Sequence, residues 1–290
     1  MTQVLIPFGW HRPSEQAVDI HDVPRGLGCQ CVCPSCDTPL IARKGKEIAW
    51  HFAHASRAVY EHTGQECRFS FWVSVRLMAR QLLARSDTVT IRLPRFAERQ
   101  LLYSKRLDRW FWKDVEIAPR QDIVIQDPVM EAQLPEAVVD LAGHVKGTPF
   151  CIYFTHPGRA VPGELADPAQ RRMGVVSIAL DQLELVFLRQ RPHRGTYLEE
   201  LSSFITNSDQ ARHWVYHPKR ARLLQQAQDE LARLIAAAEQ AALSAATPPP
   251  SVPVRFRCVM CQAEWVGQHR DMQNCPNGHD WQLATQLSPA

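Results

Sequence analysis

Two cysteines and two histidines near the N-terminus have the spacing of a metal site. Cys33-Pro-Ser-Cys36 is a C-x2-C pair, and His51-Phe-Ala-His54 follows it after fourteen residues. Four thiolate and imidazole ligands suit zinc in a tetrahedron. We take Cys33 and Cys36 as the primary pair and His54 as the third ligand, while His51 and Cys67 compete for the fourth position. A buried cysteine pair with surface histidines is the alternative.

A second set of candidate metal ligands lies near the C-terminus. Cys258 and Cys261 form another C-x2-C pair, and Cys275 and His279 follow with C-x3-H spacing. This arrangement is typical of a zinc ribbon. A segment this short has little apolar core, so we expect bound zinc to supply much of its stability. The sequence therefore predicts two zinc sites per chain.

The composition is that of an ordinary globular protein. The chain has 290 residues, 45% of them hydrophobic and 22% charged, and its net charge of +3 is too small to indicate nucleic-acid binding by itself. Nine cysteines, accompanied by histidines, indicate metal binding in a reducing compartment. No apolar run approaches the roughly 18 residues of a membrane helix. The N-terminus also lacks a signal-peptide pattern, so we expect a cytoplasmic protein.

The first metal site is predicted to lie on a hairpin that is followed by a helix. Lys44-Gly45-Lys46 is the predicted turn between strands at residues 40–41 and 48–50. The next segment places apolar residues on one helical face and basic residues largely off it: Phe71, Val75, Met78 and Leu82 against Arg76, Arg80 and Arg85. This pattern is typical of a core helix with a solvated basic side. A helix that faces phosphates is the alternative.

The middle of the chain predicts an α/β core built on a mixed sheet. Short apolar strands are expected at residues 138–141, 150–155 and 175–180, and the connection between the last two is long enough for a crossover. Thr196-Tyr-Leu-Glu199 is a capping box that opens a helix. In the less regular segment before this core, Trp110-Phe-Trp112 and Ile123-Val-Ile125 suggest strands that are broken by Pro119 and Pro128.

The predicted division of the chain follows changes in composition. It comprises a zinc-binding module (1–68), an α/β core (69–216), a long helix (217–246), a proline-rich linker (247–253) and a zinc ribbon (254–290). The long helix has a narrow, alanine-rich heptad seam, which is typical of packing on its own domain. Dimerisation through that seam is the alternative.

Several short segments resemble the CoiA-like competence-protein family. The matching segments are Cys33-Pro-Ser-Cys36, Trp50-His-Phe-Ala-His54, Pro135-Glu-Ala-Val-Val139, Thr155-His-Pro157 and Gly174-Val-Val-Ser-Ile178. The resemblance covers roughly residues 29–220 and leaves the C-terminal ribbon unmatched. It implies a zinc-binding N-terminal segment and a restriction-endonuclease-like core, in which helices flank a mixed sheet. Together with the C-terminal ribbon, which rests on its own spacing, the expected chain has small zinc-binding modules at both ends.

The resemblance also implies PD-(D/E)xK-type nuclease chemistry, in which carboxylates on adjacent strands hold Mg²⁺. The candidates are Glu131, Glu136 and Asp140. The glutamate that the family carries on its next strand is missing, because Cys151 or Tyr153 occupies its place, depending on the direction of counting. Sulfur is a poor ligand for Mg²⁺, so we expect a degenerate nuclease core that binds Mg²⁺ weakly.

These observations leave three functions open. The first is a zinc-containing CoiA-like protein that binds DNA, single-stranded or processed, without cleaving it. The second is an active Mg²⁺-dependent DNA nuclease that uses Glu131, Glu136 and Asp140. The third is an adaptor in which the C-terminal ribbon and the long helix recruit a protein partner.

The first hypothesis makes specific residues candidates for contact with DNA. The candidate phosphate contacts are Lys44, Lys46, Arg76, Arg80 and Arg85. The candidate stacking residues are Trp50, Phe52, Phe71 and Trp72, although most of the aromatic residues are expected to belong to the core. His156 either contacts phosphate or ends a strand with a hydrogen bond to the backbone.

Overall fold

The protein is described from a computed structural model. The described residues are 5–55, 67, 70–135, 137–166, 172–188, 196–246, 253–268, 275–280 and 284–287. The chain divides into two compact units. One consists of Met1–Gln100 and Lys113–Ala227, and the other of Leu101–Trp112 and Gln228–Ala290.

Sixteen strands and five α-helices make up the described secondary structure. The strands are β1 Phe8–His11, β2 Gln16–Asp19, β3 Cys31–Val32, β4 Leu40–Arg43, β5 His51–His54, β6 Thr88–Leu93, β7 Phe96–Ser104, β8 Arg109–Ala118, β9 Gln121–Gln133, β10 Val138–Val145, β11 Thr148–Thr155, β12 Gly174–Ala179, β13 Arg212–Tyr216, β14 Pro253–Cys258, β15 Glu264–Gln268 and β16 Ala284–Gln286. The helices are α1 Ser70–Leu83, α2 Gly163–Ala166, α3 Gln182–Leu188, α4 Tyr197–Asn207 and α5 Arg220–Ala246.

A six-stranded mixed sheet forms the centre of the first unit, in the order β13-β12-β11-β10-β9-β6. β11 and β12 are parallel, as the predicted crossover requires, and the other neighbours are antiparallel. The mixed α/β class is therefore confirmed. The finer restriction-endonuclease-like arrangement stays a prediction.

The middle strands of the sheet, β11 and β12, are buried on both faces, which explains the nearly continuous apolar sequence of β11. Ile152 and Phe154 belong to one core cluster together with Phe71 and Val75 of α1. Cys151 and Tyr153, which alternate with them along the strand, belong to a second cluster. Successive side chains of a strand point to opposite faces, so a strand buried on both sides must be apolar throughout.

β9 continues past Pro128, where a break was predicted. Gln126 pairs with His144 and Val129 pairs with Ala142, and the register shifts between these two pairs. A proline is tolerated at such a bulge because no ladder hydrogen bond needs its missing N–H. The strands approach closely here, since a Cβ added to Gly143 would lie 2.6 Å from the carbonyl oxygen of Gln126. The prediction that Pro128 breaks a strand was therefore wrong.

Three predicted elements around the core are present. β4 and β5 form an antiparallel hairpin, although its second strand is His51–His54 and not residues 48–50. The capping box is complete, because Thr196 Oγ1 accepts from Glu199 N and Thr196 N donates to Glu199 Oε2. The long helix is α5. No helix in the described part of the chain combines the length and the apolar character needed to cross a membrane.

Candidate metal centres and the carboxylates of the core

The first Cys/His group consists of Cys33, Cys36, His54 and Cys67, whose ligand atoms all lie within 4.8 Å of one another. Cys33 Sγ lies 3.8 Å from Cys67 Sγ, and Cys36 Sγ lies 3.3 Å from His54 Nε2. Zinc in a tetrahedron, with Zn–S bonds of about 2.3 Å, holds two sulfurs about 3.8 Å apart. The group could therefore hold one zinc ion.

A tight turn positions the first two thiols of this group. Cys33 N donates to Thr38 O, and Asp37 N donates to Cys33 O, both at 2.8 Å. Asp37 closes the turn in the left-handed conformation, at φ 56°. Ser35 N lies 3.4 Å from Cys33 Sγ, so a backbone N–H points at the sulfur. Such outer hydrogen bonds stabilise the negative charge of a thiolate ligand.

The structure brings Cys67, and not His51, into the first group. His51 and His54 are three residues apart on β5, so they point to opposite faces of the strand. His51 Nδ1 lies 2.8 Å from the carbonyl oxygen of Ala49. Burial lowers the pKa of His51 below its ordinary value. Sequence spacing alone does not choose between His51 and Cys67, because the predicted strand at residues 48–50 ends before His51.

Cys29 and Cys31 belong to neither described Cys/His group. Both are buried, and their thiols donate to the carbonyl oxygens of Leu40, at 3.2 Å, and Cys29, at 3.1 Å, respectively. Burial, followed by the neighbouring Cys29, raises the pKa of Cys31 to about 12. These two cysteines therefore act as small core residues whose thiols are hydrogen-bonded to backbone carbonyls.

The second Cys/His group consists of Cys258, Cys261, Cys275 and His279, again with all ligand atoms within 4.8 Å of one another. Cys261 Sγ lies 3.4 Å from Cys275 Sγ, and Cys258 Sγ lies 3.6 Å from His279 Nδ1. The four ligands meet beside the three-stranded antiparallel sheet β15-β14-β16. This group could hold a second zinc ion.

The second group repeats the backbone arrangement of the first. Asn277 N lies 3.4 Å from Cys275 Sγ, as Ser35 N does from Cys33 Sγ. The Asn277 side chain also donates to Cys261 Sγ at 3.3 Å. The backbone N–H of Ala263 and this amide lower the pKa of Cys261 to about 6. The site is therefore prepared to hold a thiolate at neutral pH.

The candidate catalytic acids of the core are engaged by arginines. Asp140 is fully buried, and its carboxylate accepts from Arg76 Nε at 2.6 Å, Phe154 N at 2.8 Å and Arg159 Nη1 at 3.0 Å. Glu131, on the neighbouring strand β9, forms an ion pair with Arg80. Glu136 lies outside the described residues. Arg76 and Arg80, one turn apart on α1, thus bind the carboxylates of Asp140 and Glu131, respectively.

Tyr153 and Cys151, the two positions at which a catalytic glutamate was sought, carry an aromatic ring and a buried thiol. The guanidinium carbon of Arg159 lies 3.7 Å from the centroid of the Tyr153 ring, so one arginine contacts both this ring and Asp140. Burial lowers the pKa of Arg159 below its ordinary value. Cys151 is fully buried in the second core cluster. His156 Nδ1 lies 2.8 Å from Pro157 O, which confirms the strand-end interpretation of this histidine.

A cleft of about 570 Å³ beside the first hairpin carries one carboxylate, from Glu47, and four cationic side chains, from Arg25, Arg43, Lys44 and Lys46. Lys44 Nζ is held by the carbonyl oxygens of His21, at 3.2 Å, and Val23, at 2.5 Å. The other three cationic side chains belong to exposed residues. The cleft therefore offers solvent-facing cations around one fixed ammonium group.

Most of the aromatic candidates for stacking on bases are buried, as expected of core residues. Phe52, Phe71 and Trp72 are 1%, 3% and 6% exposed, since the apolar faces of β5 and α1 form the core. Trp50 is half-buried, and its indole N–H donates to Gly45 O at 2.9 Å. Among the described tryptophans, the exposed ones are Trp110 and Trp112 on β8. Their alternation along a strand was the sequence signal that could have identified them.

The described residues define a mixed α/β protein with two Cys/His groups, each with a geometry that suits zinc. Residues 26–59 match the family model described as the N-terminal domain of competence protein CoiA. This segment contains Cys33, Cys36 and His54, which are three of the four members of the first group. A search of curated proteins and a search of solved structures each found no match. The family match and the two groups fit a zinc-containing competence protein.

Proposed function

We propose that this chain is a zinc-containing, CoiA-like nucleic-acid-binding protein whose PD-(D/E)xK-type core does not cleave its ligand. The observation that carries the proposal is that both carboxylate oxygens of Asp140 accept hydrogen bonds from the protein. Its carboxylate is fully buried and accepts three hydrogen bonds, two of them from arginines. Both oxygens of the carboxylate are thus engaged, and two guanidinium groups occupy the positions from which a cation would have to approach it.

The chemistry of magnesium supports a core without metal-dependent activity. Mg²⁺ demands near-octahedral oxygen coordination at about 2.1 Å and usually retains several waters. Around Asp140 the neighbouring groups are the guanidinium groups of Arg76 and Arg159, which repel a cation. Tyr153 and Cys151 supply no carboxylate on the adjacent strand. We infer that arginine has taken the charge-balancing role that a metal ion has in an active nuclease.

The basic cleft supports the binding of nucleic acid. Arg25, Arg43 and Lys46 line it together with the fixed ammonium group of Lys44. A concave site with clustered cations attracts phosphates. The first Cys/His group includes His54 of β5, and β5 pairs with β4, which carries Arg43. A zinc ion bound there would stiffen one wall of the cleft.

A salt series on DNA binding tests this proposal. The full-length protein should bind single-stranded DNA at low salt and lose affinity as the salt concentration rises, because phosphate contacts release counterions. The Arg43→Ala/Lys46→Ala variant should bind more weakly and show a shallower salt dependence. Arg222→Ala, which removes an exposed arginine of α5, is the matched control. Absence of binding by the wild type at low salt would reject the proposal.

A cleavage assay with Mg²⁺ or Mn²⁺ tests the absence of nuclease activity. The wild type should leave both single-stranded and duplex DNA intact. Glu131→Gln is the informative variant, because this residue is exposed and its loss should not unfold the protein. Metal-dependent cleavage by the wild type that disappears in Glu131→Gln would favour the nuclease hypothesis instead.

The adaptor hypothesis remains a second candidate because the C-terminal segment exposes apolar side chains. Val259, Met260 and Val266 are 58%, 66% and 61% exposed. Exposed apolar residues close together can mark a protein interface. A full-length protein that recovers one defined partner, and loses it when residues 254–290 are deleted, would favour the adaptor if DNA binding is absent.

A further inference from the structure

The hairpin of β7 and β8 exposes an aromatic face that none of the functions considered above uses. Leu101, Tyr103, Trp110 and Trp112 are 52%, 39%, 60% and 62% exposed. Exposed residues alternate with less exposed ones along both strands. Large aromatic side chains on a solvent-facing strand are unusual in a structural hairpin, because burial would stabilise them.

The register of the hairpin places these four side chains on one face. The Tyr103 and Trp110 rings lie 5.1 Å apart between centroids. Arg99 and Asp114 form a two-pronged ion pair across the same strands, with distances of 2.7 and 2.9 Å. Both pairs follow one antiparallel register, and that register sets Leu101 opposite Trp112. We call these four residues the hairpin face.

The opposite side of the hairpin is already occupied. Val115 and Ile117 are buried in a cluster with Ala227 of α5. Nearer the turn, Ser104 Oγ donates to Glu239 Oε1 of the same helix at 2.6 Å. The packing of the hairpin on α5 therefore does not use the hairpin face.

The charges near the turn favour a polyanion as the ligand of the hairpin face. Lys105 and Arg106 are exposed at the turn, whereas the Arg109 guanidinium lies over the Phe111 ring, 4.6 Å from its centroid. The carboxylates beside the face are engaged within the hairpin, since Asp108 accepts from the Tyr103 hydroxyl and Asp114 binds Arg99. Aromatic rings flanked by free cations are how proteins bind single-stranded nucleic acid, by stacking on bases and attracting phosphates. An apolar partner surface would have no use for the cations.

We propose that the hairpin face is a stacking platform for single-stranded nucleic acid, with Trp110 and Trp112 as the principal stacking residues. This inference rests on the proposed nucleic-acid-binding function and gives it a site separate from the basic cleft. Duplex DNA keeps its bases stacked inside, so the platform should discriminate in favour of single strands.

Affinity measurements on the full-length protein test the platform. The probes are an oligothymidylate and a blunt duplex of the same length. Trp110→Ala/Trp112→Ala should weaken binding of the single strand by about tenfold per ring removed. The affinity of the same double variant for the duplex should stay within about twofold of the wild-type affinity. Trp110→Phe/Trp112→Phe should restore most of the affinity, because phenyl rings also stack.

Two further variants separate stacking from charge and from general surface effects. Lys105→Ala/Arg106→Ala should reduce the salt dependence of single-strand binding, with a slope change of about 0.7 for each phosphate that the variant no longer neutralises. Leu185→Ala removes an apolar side chain of α3 that is 62% exposed, as Trp112 is, and should leave the affinity unchanged.

Each contrary outcome has a distinct meaning. A wild type that binds no nucleic acid overturns the proposed function and this inference with it. A wild type that binds the oligothymidylate, with the double alanine variant equally tight, overturns the platform alone. A double variant that changes from dimer to monomer in sedimentation, with its single-strand affinity intact, would assign the hairpin face to self-association and also overturn the platform.

Discussion

Arg76 Nε lies 2.6 Å from Oδ1 of Asp140, a fully buried carboxylate that is 64 residues away in the sequence. Arg159 approaches the other oxygen from a turn that follows β11. The pair therefore joins the first helix of the core to β10. It gives Asp140, a candidate catalytic acid, a structural role as a buried anion.

Removal of Asp140 should destabilise the fold strongly. Asp140→Ala leaves the guanidinium groups of Arg76 and Arg159 without their shared counter-ion, and breaking a buried ion pair costs about 3–5 kcal/mol. We expect a decrease of this size in the free energy of unfolding, measured by urea denaturation. Arg85→Ala, at an exposed position at the end of α1, should change it by less than about 0.5 kcal/mol. Equal stability of Asp140→Ala and the wild type would contradict the anchoring role.

Local sequence patterns predicted the elements with a strong period or a defined cap. The apolar residues of α1, the Thr196-Glu199 capping box and the continuous apolar run of β11 each identify their element through a short-range rule. The Cys-x-x-Cys pairs belong to the same class, because a tight turn brings both thiols together within a few residues.

The arginine contacts of Asp140 could not be predicted from the sequence. They join residues 64 and 19 positions apart, and only the packing of α1 and the turn after β11 determines these distances. The choice of Cys67 over His51 likewise depends on which face of β5 each histidine occupies. The hairpin face was missed because Trp110-Phe-Trp112 reads equally well as a buried strand.

Metal analysis should find about two zinc ions in each full-length chain, one for each Cys/His group. Cys33→Ser and Cys258→Ser should each reduce the content to about one, because a group of three ligands binds zinc far more weakly. His51→Ala and Cys29→Ser should both retain about two, since neither side chain belongs to a group. A loss of one zinc ion in His51→Ala would show that the first site uses that histidine.

Chelation of zinc should unfold the C-terminal segment first. Among its described side chains, the buried ones are those of Cys258 and Cys275, so the segment has almost no apolar core of its own. Structure that depends on a metal is lost when the metal is removed. Hydrogen exchange of β14 should therefore rise sharply after chelation, while that of β11, deep in the core, stays slow. Unchanged protection of β14 would mean that the segment folds without metal.

The stability of the protein should depend on pH through His217. Burial, with a smaller contribution from Lys219, lowers the pKa of His217 below its ordinary value. In the folded state its Nδ1 accepts the backbone N–H of Lys219 at 3.2 Å, which requires a neutral ring. The unfolded chain therefore takes up a proton first as the pH falls. The stability that His217 contributes is complete above the unfolded pKa of about 6.5 and is lost as the pH falls from there through the lower folded value.

A comparison of variants isolates this contribution from the pH dependence of zinc binding. The free energy of unfolding of His217→Gln should decline less than that of the wild type between pH of about 7.5 and 5.5, because glutamine keeps an acceptor but does not titrate. His144→Gln, at an exposed histidine of β10, serves as the control and should follow the wild type. Parallel curves for the wild type and His217→Gln would mean that His217 is protonated equally in both states, and that its hydrogen bond to Lys219 does not survive in solution.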